Sequence, residues 1–269
     1  MSLQPPAHPL LEQPKPAATG LGEKSSGSSN THIIILVVII VAVVVAAGAV
    51  AGFYFLPSAG ASETQTMNFS GFTAVNVGSA FRVTITHSNS FTVRITANEK
   101  EFDQIEVNQT GDILKIDIRP GNFTGITNTA AQITMPELDS VTLSGATQGS
   151  AAGFRSTMPF VAQLSGASSL TLTDFQAGNV TADLSGASTL SAAGSADDLV
   201  SVVSGASSLN LTNLAVNNAS MNLSEASHAQ IDVSGRLDAE LSGASSLQYI
   251  GQPTLGNIST SGESTVSKS

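Results

Sequence analysis

The tetrapeptide Leu-Ser-Gly-Ala, or a close variant, returns at a near-constant interval through the second half of a 269-residue chain. It stands at Leu143–Ala146, Leu164–Ala167, Leu184–Ala187, Val203–Ala206, Leu223–Ala226 and Leu241–Ala244, with a degenerate copy at Thr260–Glu263. A repeat of roughly 20 residues marks a solenoid, in which each coil covers its apolar edge only against its neighbours. A pair of helices needs more than about 30 residues per repeat, and these coils carry no helical period. The expected fold is therefore all-β: a parallel β-helix with coils of about 20 residues, right-handed as parallel crossovers generally are.

Aligning the coils on the motif predicts which side chains face inward. Two and four positions before the first motif position stand Ala162 and Phe160, Ala182 and Val180, Ser201 and Leu199, Met221 and Ala219, and Ala239 and Leu237. The residue just before it alternates outward: Thr142, Gln163, Asp183, Val202, Asn222 and Glu240. A second apolar pair follows the motif at Leu170/Leu172, Leu209/Leu211 and Leu247/Tyr249. Each coil thus has two short strands joined by polar corners, with room for a third side. The structural repeat positions are Leu143, Leu164, Leu184, Val203, Leu223 and Leu241, with Gly145, Gly166, Gly186, Gly205 and Gly243. With coils about 4.8 Å apart, leucine stacks on leucine and motif serines are expected to hydrogen-bond along their column. The glycine permits a positive φ or a close backbone approach. Because Glu225 replaces it once, the sequence argues for space rather than a positive φ in every coil.

Upstream, Ile33–Leu56 runs unbroken without a single charge. As a helix it would extend roughly 36 Å, enough to cross a hydrocarbon core of about 30 Å. Phe53, Tyr54 and Phe55 close it at the depth that suits aromatic rings, and Pro57 stops it. Lys15 and Lys24 precede the span and the next cation is Arg82, which orients the N-terminus to the cytoplasm and the repeats outside. A signal peptide cleaved near Ala59-Gly60-Ala61 competes with this reading. Its apolar core would be only about 7–15 residues, so an uncleaved single-pass anchor is expected. Residues 1–32 read as a disordered Pro/Gly/Ser-rich tail, residues 57–68 as a linker, and residues 69–266 as the β-helix domain. Within that domain, 69–120 alternates with period two and reads as less regular first coils plus a cap, and 141–266 as regular coils.

Charge narrows the function classes. The formal net charge is -10. Ahead of Pro57 the acids Glu12 and Glu23 balance the bases Lys15 and Lys24, so the whole excess falls on Pro57–Ser269. An acidic domain without basic clusters is a poor partner for nucleic acid. With no cysteine, disulfides and thiolate metal sites are excluded. Parallel β-helix enzymes place paired acids, or a base and a metal, on one face. The candidates here are Asp183 with Glu240, Glu225 with His228, and Asp232 with Arg236 and Asp238. Asp183 and Glu240 fall three coils apart, about 14 Å at the usual spacing, too far for joint carboxylate work. Asp197-Asp198 is a corner cation candidate, without the calcium nonapeptide. The four histidines, 8, 32, 87 and 228, lack metal-ligand spacing. No catalytic residue, cofactor or metal is therefore predicted. Sequons at Asn68, Asn108, Asn122, Asn179, Asn210, Asn218, Asn222 and Asn257 matter only if the host glycosylates its surface proteins.

Three features together carry a family likeness: the opening strand Phe72–Val77, the Leu-Lys-Ile-Asp-Ile strand at Leu114–Ile118, and the serial Ser-Gly-Ala-Ser-x-Leu coils. Over about residues 69–265 the chain resembles the head GIN domain of auto-transporter adhesins. The resemblance implies a right-handed parallel β-helix on a prokaryotic cell surface and supplies no catalytic residues. The chain departs from a Gram-negative autotransporter in showing no membrane β-barrel segment, so self-translocation is not expected. The expected function is a membrane-anchored extracytoplasmic binding or structural module, a surface adhesin without catalysis. Its expected partners are the bilayer, through Ile33–Leu56, and a surface glycan, cell wall or another surface protein. A polysaccharide-active enzyme and an envelope scaffold or stress sensor are the alternatives.

Overall fold

A computed structural model of the chain describes residues 62–119 and 128–269. The apolar span Ile33–Leu56 and the tail before it lie outside the described residues. Among the described residues no helix is long and apolar enough to cross a membrane.

The described chain is a parallel β-solenoid of nineteen strands. In its first part come β1 (Ser62–Met67), β2 (Ala74–Val77), β3 (Arg82–His87) and β4 (Thr92–Asn98). A 3-10 turn, Glu99–Gln104, leads to β5 (Ile105–Thr110), β6 (Ile113–Ile118) and β7 (Ala130–Met135). The repeats then supply β8 (Ser140–Leu143), β9 (Gln148–Ala152), β10 (Phe160–Leu164), β11 (Ser169–Ala177), β12 (Val180–Leu184) and β13 (Thr189–Val203). They close with β14 (Ser208–Leu223), β15 (His228–Val233), β16 (Arg236–Leu241), β17 (Ser246–Ile250), β18 (Thr254–Thr260) and β19 (Thr265–Lys268).

Two long ladders run along the solenoid. The first, on the side before each motif, stacks β6, β2, β8, β10, β12, the ends of β13 and β14, β16 and β18 in parallel. The second, on the side after each motif, stacks β7, β3, β9, β11, the starts of β13 and β14, β15, β17 and β19 in parallel. The third side foreseen in the sequence exists: Phe175, Gly194 and Leu214 stack there, as do Ala177, Ala196 and Val216. The register shifts at Leu172/Phe175, Ser191/Ala193 and Leu211/Ala215 mark the corner leading into it.

The inward columns are those the alternation predicts. Val77, Leu143, Leu164, Leu184, Val203, Leu223 and Leu241 pair rung by rung along the first ladder and are all buried. Ala162, Ala182, Ser201, Met221 and Ala239 form the next inward column, and Phe160, Val180, Leu199, Ala219 and Leu237 the one after it, all buried. Asp183 lies on the exposed side, opposite Gln163 and Val202. Each buried leucine contributes roughly 1.5–3 kcal/mol, and stacking gives every one the same neighbours.

At the motif corner the structure corrects the sequence reading. φ is positive at Gly145, Gly166, Gly186, Gly205 and Gly243, between 74° and 76°, and at Glu225 it is 63°. The left-handed conformation therefore recurs even where a side chain opposes it. Space is needed as well: a Cβ on Gly186 would sit 2.5 Å from the Gly166 carbonyl oxygen. The close approach forms a rung, because the amide N–H of Ala187 donates to that same oxygen at 2.7 Å. Ala167 donates likewise to Gly145 and Ala206 to Gly186, each at 2.7 Å. Over Gly205 the Glu225 corner is looser: Ala226 donates at 3.0 Å, and the buried Ser227 hydroxyl has no partner. Serine hydroxyls do bond along the columns, to backbone carbonyls one coil earlier: Ser204 donates to Leu184 and Ser261 to Leu241, each at 3.3 Å. The buried hydroxyl is the residue after the motif, and it closes its own turn: Ser168 donates to the Ser165 carbonyl and Ser188 to the Ser185 carbonyl, both at 2.8 Å.

The amino-terminal region is less sequential than its alternation suggests. β2 and β3, with Val77-Gly78-Ser79-Ala80 in the place of the motif, form the coil directly against β8 and β9. β6 and β7, later in the chain, lie on its other side. Antiparallel strands then close this end: β5 against β6, β4 against β7, and β1 against β4. Thus Ser62–Met67, in the segment read as linker, is an edge strand of the cap. Antiparallel closure stops the stack from offering another parallel rung at this end.

The columns make stability predictions that thermal denaturation checks. Leu184→Asp should cost several kcal/mol by burying a carboxylate in the stack, whereas Asp183→Asn should leave the melting temperature nearly unchanged. In the same assay Gly186→Ala should destabilise by about 2 kcal/mol or more, from left-handed strain plus the clash with the coil below. Glu225→Gly should stabilise by up to about 1 kcal/mol.

Candidate functional site

Fixed inward columns leave the outward rungs as the available chemistry, and each acid named in the sequence now has a place. Asp183 and Glu240 occupy one outward column of the first ladder, separated by Val202 and Asn222. Three rungs part them, about 14 Å. Glu225 occupies a corner, whereas His228 opens β15 on the second ladder, its Nδ1 2.5 Å from the Ser246 hydroxyl. Asp232 pairs with Ala215 and Ile250 on the third side, while Arg236 and Asp238 form an ion pair on the first ladder. Among the described residues a hydrogen bond or ion pair joins only Arg236 and Asp238 of these sets, and Asp238 and Glu240 line one hollow with Asn222 and Asn257. Among the described residues no group of three or more His, Asp or Glu side chains is placed to hold a metal.

The corner between the third side and the first ladder carries a connected polar chain instead. Asn218 donates from Nδ2 to Asp198 at 2.8 Å, and its Oδ1 accepts from the Arg236 amide at 2.9 Å. Arg236 donates from Nε and Nη2 to the two Asp238 oxygens at 2.6 and 2.7 Å, and the Asn257 amide adds a bond at 2.7 Å. The guanidinium bonds first, then the Asn257 N–H, hold the Asp238 carboxyl below the usual carboxylate range. The same pairing raises Arg236 above its ordinary value. These side chains tie successive coils together at a corner. Asp198, a cation candidate in the sequence, is engaged here by an asparagine.

A small hollow lies where the third side begins. Its volume is about 160 Å³; Phe154, Phe160 and Phe175 form its floor, and Met158, 61% exposed, stands on its rim. The Phe160 and Phe175 rings meet edge to face with centroids 4.8 Å apart, so the floor is a closed packing unit.

The outer face of the second ladder went unremarked in the sequence. Five positions after the first motif position, at Ser169, Thr189, Ser208, His228, Ser246 and Thr265, one column runs in unbroken register along it. Its signal was present as a constant offset from the motif, but apolar periodicity does not register it. The acids gather elsewhere: Asp183, Asp238 and Glu240 belong to the first ladder, and Asp174, Asp197 and Asp232 to the third side or its corners.

The family model described as "Putative auto-transporter adhesin, head GIN domain" matches residues 71–253. The chain belongs to this family. No curated protein matches it. Among solved structures, a putative adhesin from Bacteroides fragilis is similar with a TM-score of 0.71 at 16% identity, over 78% of this chain and 97% of the other. A putative adhesin from Parabacteroides distasonis gives 0.63 at 14% identity, over 78% and 98%. A putative lipid binding protein from the same organism gives 0.62 at 16% identity, over 77% and 96%. At these identities the likeness is one of fold.

The corner ion pair yields a pH prediction. A depressed carboxyl stabilises the fold fully above its unfolded value, near 3.9, and the contribution is lost as pH falls through the lower folded value. Wild type should therefore lose melting temperature below about pH 4 more steeply than Asp238→Asn, measured by thermal denaturation from pH 6 to pH 2.

Proposed function

We propose that the protein is a surface-displayed binding module: Ile33–Leu56 crosses the membrane once, residues 1–32 stay in the cytoplasm, and the solenoid projects outside. The observation that carries this reading is the solenoid's long outer surface, which repeats polar groups at constant spacing. A rigid stack of this kind suits recognition of an extended partner, because it presents the same groups rung after rung without ordering a loop on binding. The family's adhesin description agrees with it, as does the uncharged stretch Ile33–Leu56 ahead of the domain. A surface glycan, cell-wall polymer or another surface protein is the partner class.

The test is fractionation joined to binding. The full chain should sediment with membranes and resist extraction by carbonate, and protease added outside intact cells should remove the solenoid while sparing the tail. Deleting Met1–Leu56 should shift the chain to the soluble fraction. Cells displaying the full chain should bind a surface polymer or partner cell, and single substitution of Asp183, Glu225 or Glu240 should not abolish that binding. Retention by none of a broad panel of surface polymers and cells would overturn the reading.

A further inference from the structure

We infer that the outer face of the second ladder is the binding face, and that it takes an uncharged polysaccharide chain. The inference rests on the binding-module reading above and deepens it. Seven positions after the first motif position a second outward column stands beside the first: Thr171, Ser191, Asn210, Gln230, Gln248 and Ser267. The buried Leu170, Leu190, Leu209, Ala229 and Leu247 alternate with the two columns and hold them outward. The register shifts of this region fall only where the face ends, so the face itself is regular. Hydroxyl, amide and imidazole groups thus form a grid, about 4.8 Å along the solenoid and about 7 Å across it.

Charge selects the occupant. The domain holds the entire excess of a chain of net charge -10, yet no carboxylate stands in either column. Arg82 extends the first column toward the cap, beside Gln148. An anionic polymer would meet the repulsion of the whole domain, and a polycation would be drawn to the acids of the other sides. Neither column has an aromatic or large aliphatic side chain to seat a lipid or an amphipathic helix. What suits the face is a neutral ligand that both donates and accepts hydrogen bonds repeatedly along one axis, which describes a polyol chain. His228 to Ser246 and Gln230 to Gln248 already bond along the columns; the groups still open to solvent are the ones that meet the ligand. Since each hydrogen bond is worth little net and no ring platform exists, affinity should come from chain length, by multivalency.

The test uses the full chain in a detergent without a sugar headgroup, with affinity electrophoresis in soluble β-glucan, mannan and dextran as neutral probes and polygalacturonate as the anionic one. The expected result is retardation by a neutral polymer that grows with its length and is unchanged from 50 to 500 mM salt. The pair Thr171→Glu with Asn210→Glu should weaken it at least tenfold. Asn222→Glu on the first ladder should not, with melting temperatures of both variants close to wild type. If the melting temperature of the double variant falls, Thr171→Lys with Asn210→Lys replaces it, with the same loss expected. Equal retardation of the double variant and wild type would overturn the assignment of the face while leaving a binding module standing. Salt-sensitive retardation by polygalacturonate alone would overturn the ligand class. Loss of a dimer in sedimentation by the double variant, without neutral-polymer binding, would make the face a contact between copies and overturn the proposal. Absence of any surface binding by the full chain would instead remove the reading on which it rests.

Discussion

The structure depends on one repeated contact: the amide N–H of the motif alanine donating to the carbonyl of the motif glycine one coil earlier. That bond requires the carbonyl to approach where a side chain would otherwise stand, and requires the backbone to turn through the left-handed region. Glycine meets both demands. Gly145, Gly166, Gly186 and Gly205 therefore set the vertical alignment from which the leucine column and the outward columns inherit their register. At Glu225 the same turn is made with a side chain present, and the consequences are visible in a longer bond from Ala226 and an unpartnered Ser227 hydroxyl.

In-register stacking has a chemical consequence beyond stability. A parallel coil places equivalent residues above one another, so the composition of one sequence position becomes the composition of a stripe. Thr171, Ser191 and Asn210 share a stripe because they share an offset from the motif. The same logic places Asp183 and Glu240 in one column while holding them rungs apart. A surface built this way can recognise a repeating partner, whereas assembling a compact reactive centre requires the regularity to break. The hollow lined by Phe154, Phe160 and Phe175 is such a break; Phe160 packs edge to face on Phe175, and Phe154 meets the His87 ring.

Much of this was legible in the sequence. The motif interval pointed to the solenoid, and alternation around Leu164, Leu184 and Leu223 assigned inward and outward sides that the structure reproduces. Glycine's role was half legible: close approach follows from composition, but the positive φ at Glu225 was hidden by the substitution that argued against it. The serine bonds were half legible because a hydroxyl in a stacked column has two acceptor choices, a carbonyl of the coil before or one of its own turn, and both are used. Local geometry favours the carbonyl three positions back. The amino-terminal order was hidden more deeply. Nothing in Phe72–Val77 or Leu114–Ile118 says that β2 sits between β6 and β8, since strand order is a matter of long-range pairing.

The amino acids alone determined the period, the class of fold, the apolar columns and the acidity, because each depends on spacing along one chain. Only the tertiary structure decided which coil touches which, and that antiparallel strands close one end. Those properties arise from pairing between residues tens of positions apart, where hydrogen bonds between backbones, identical for every residue, carry no local signature.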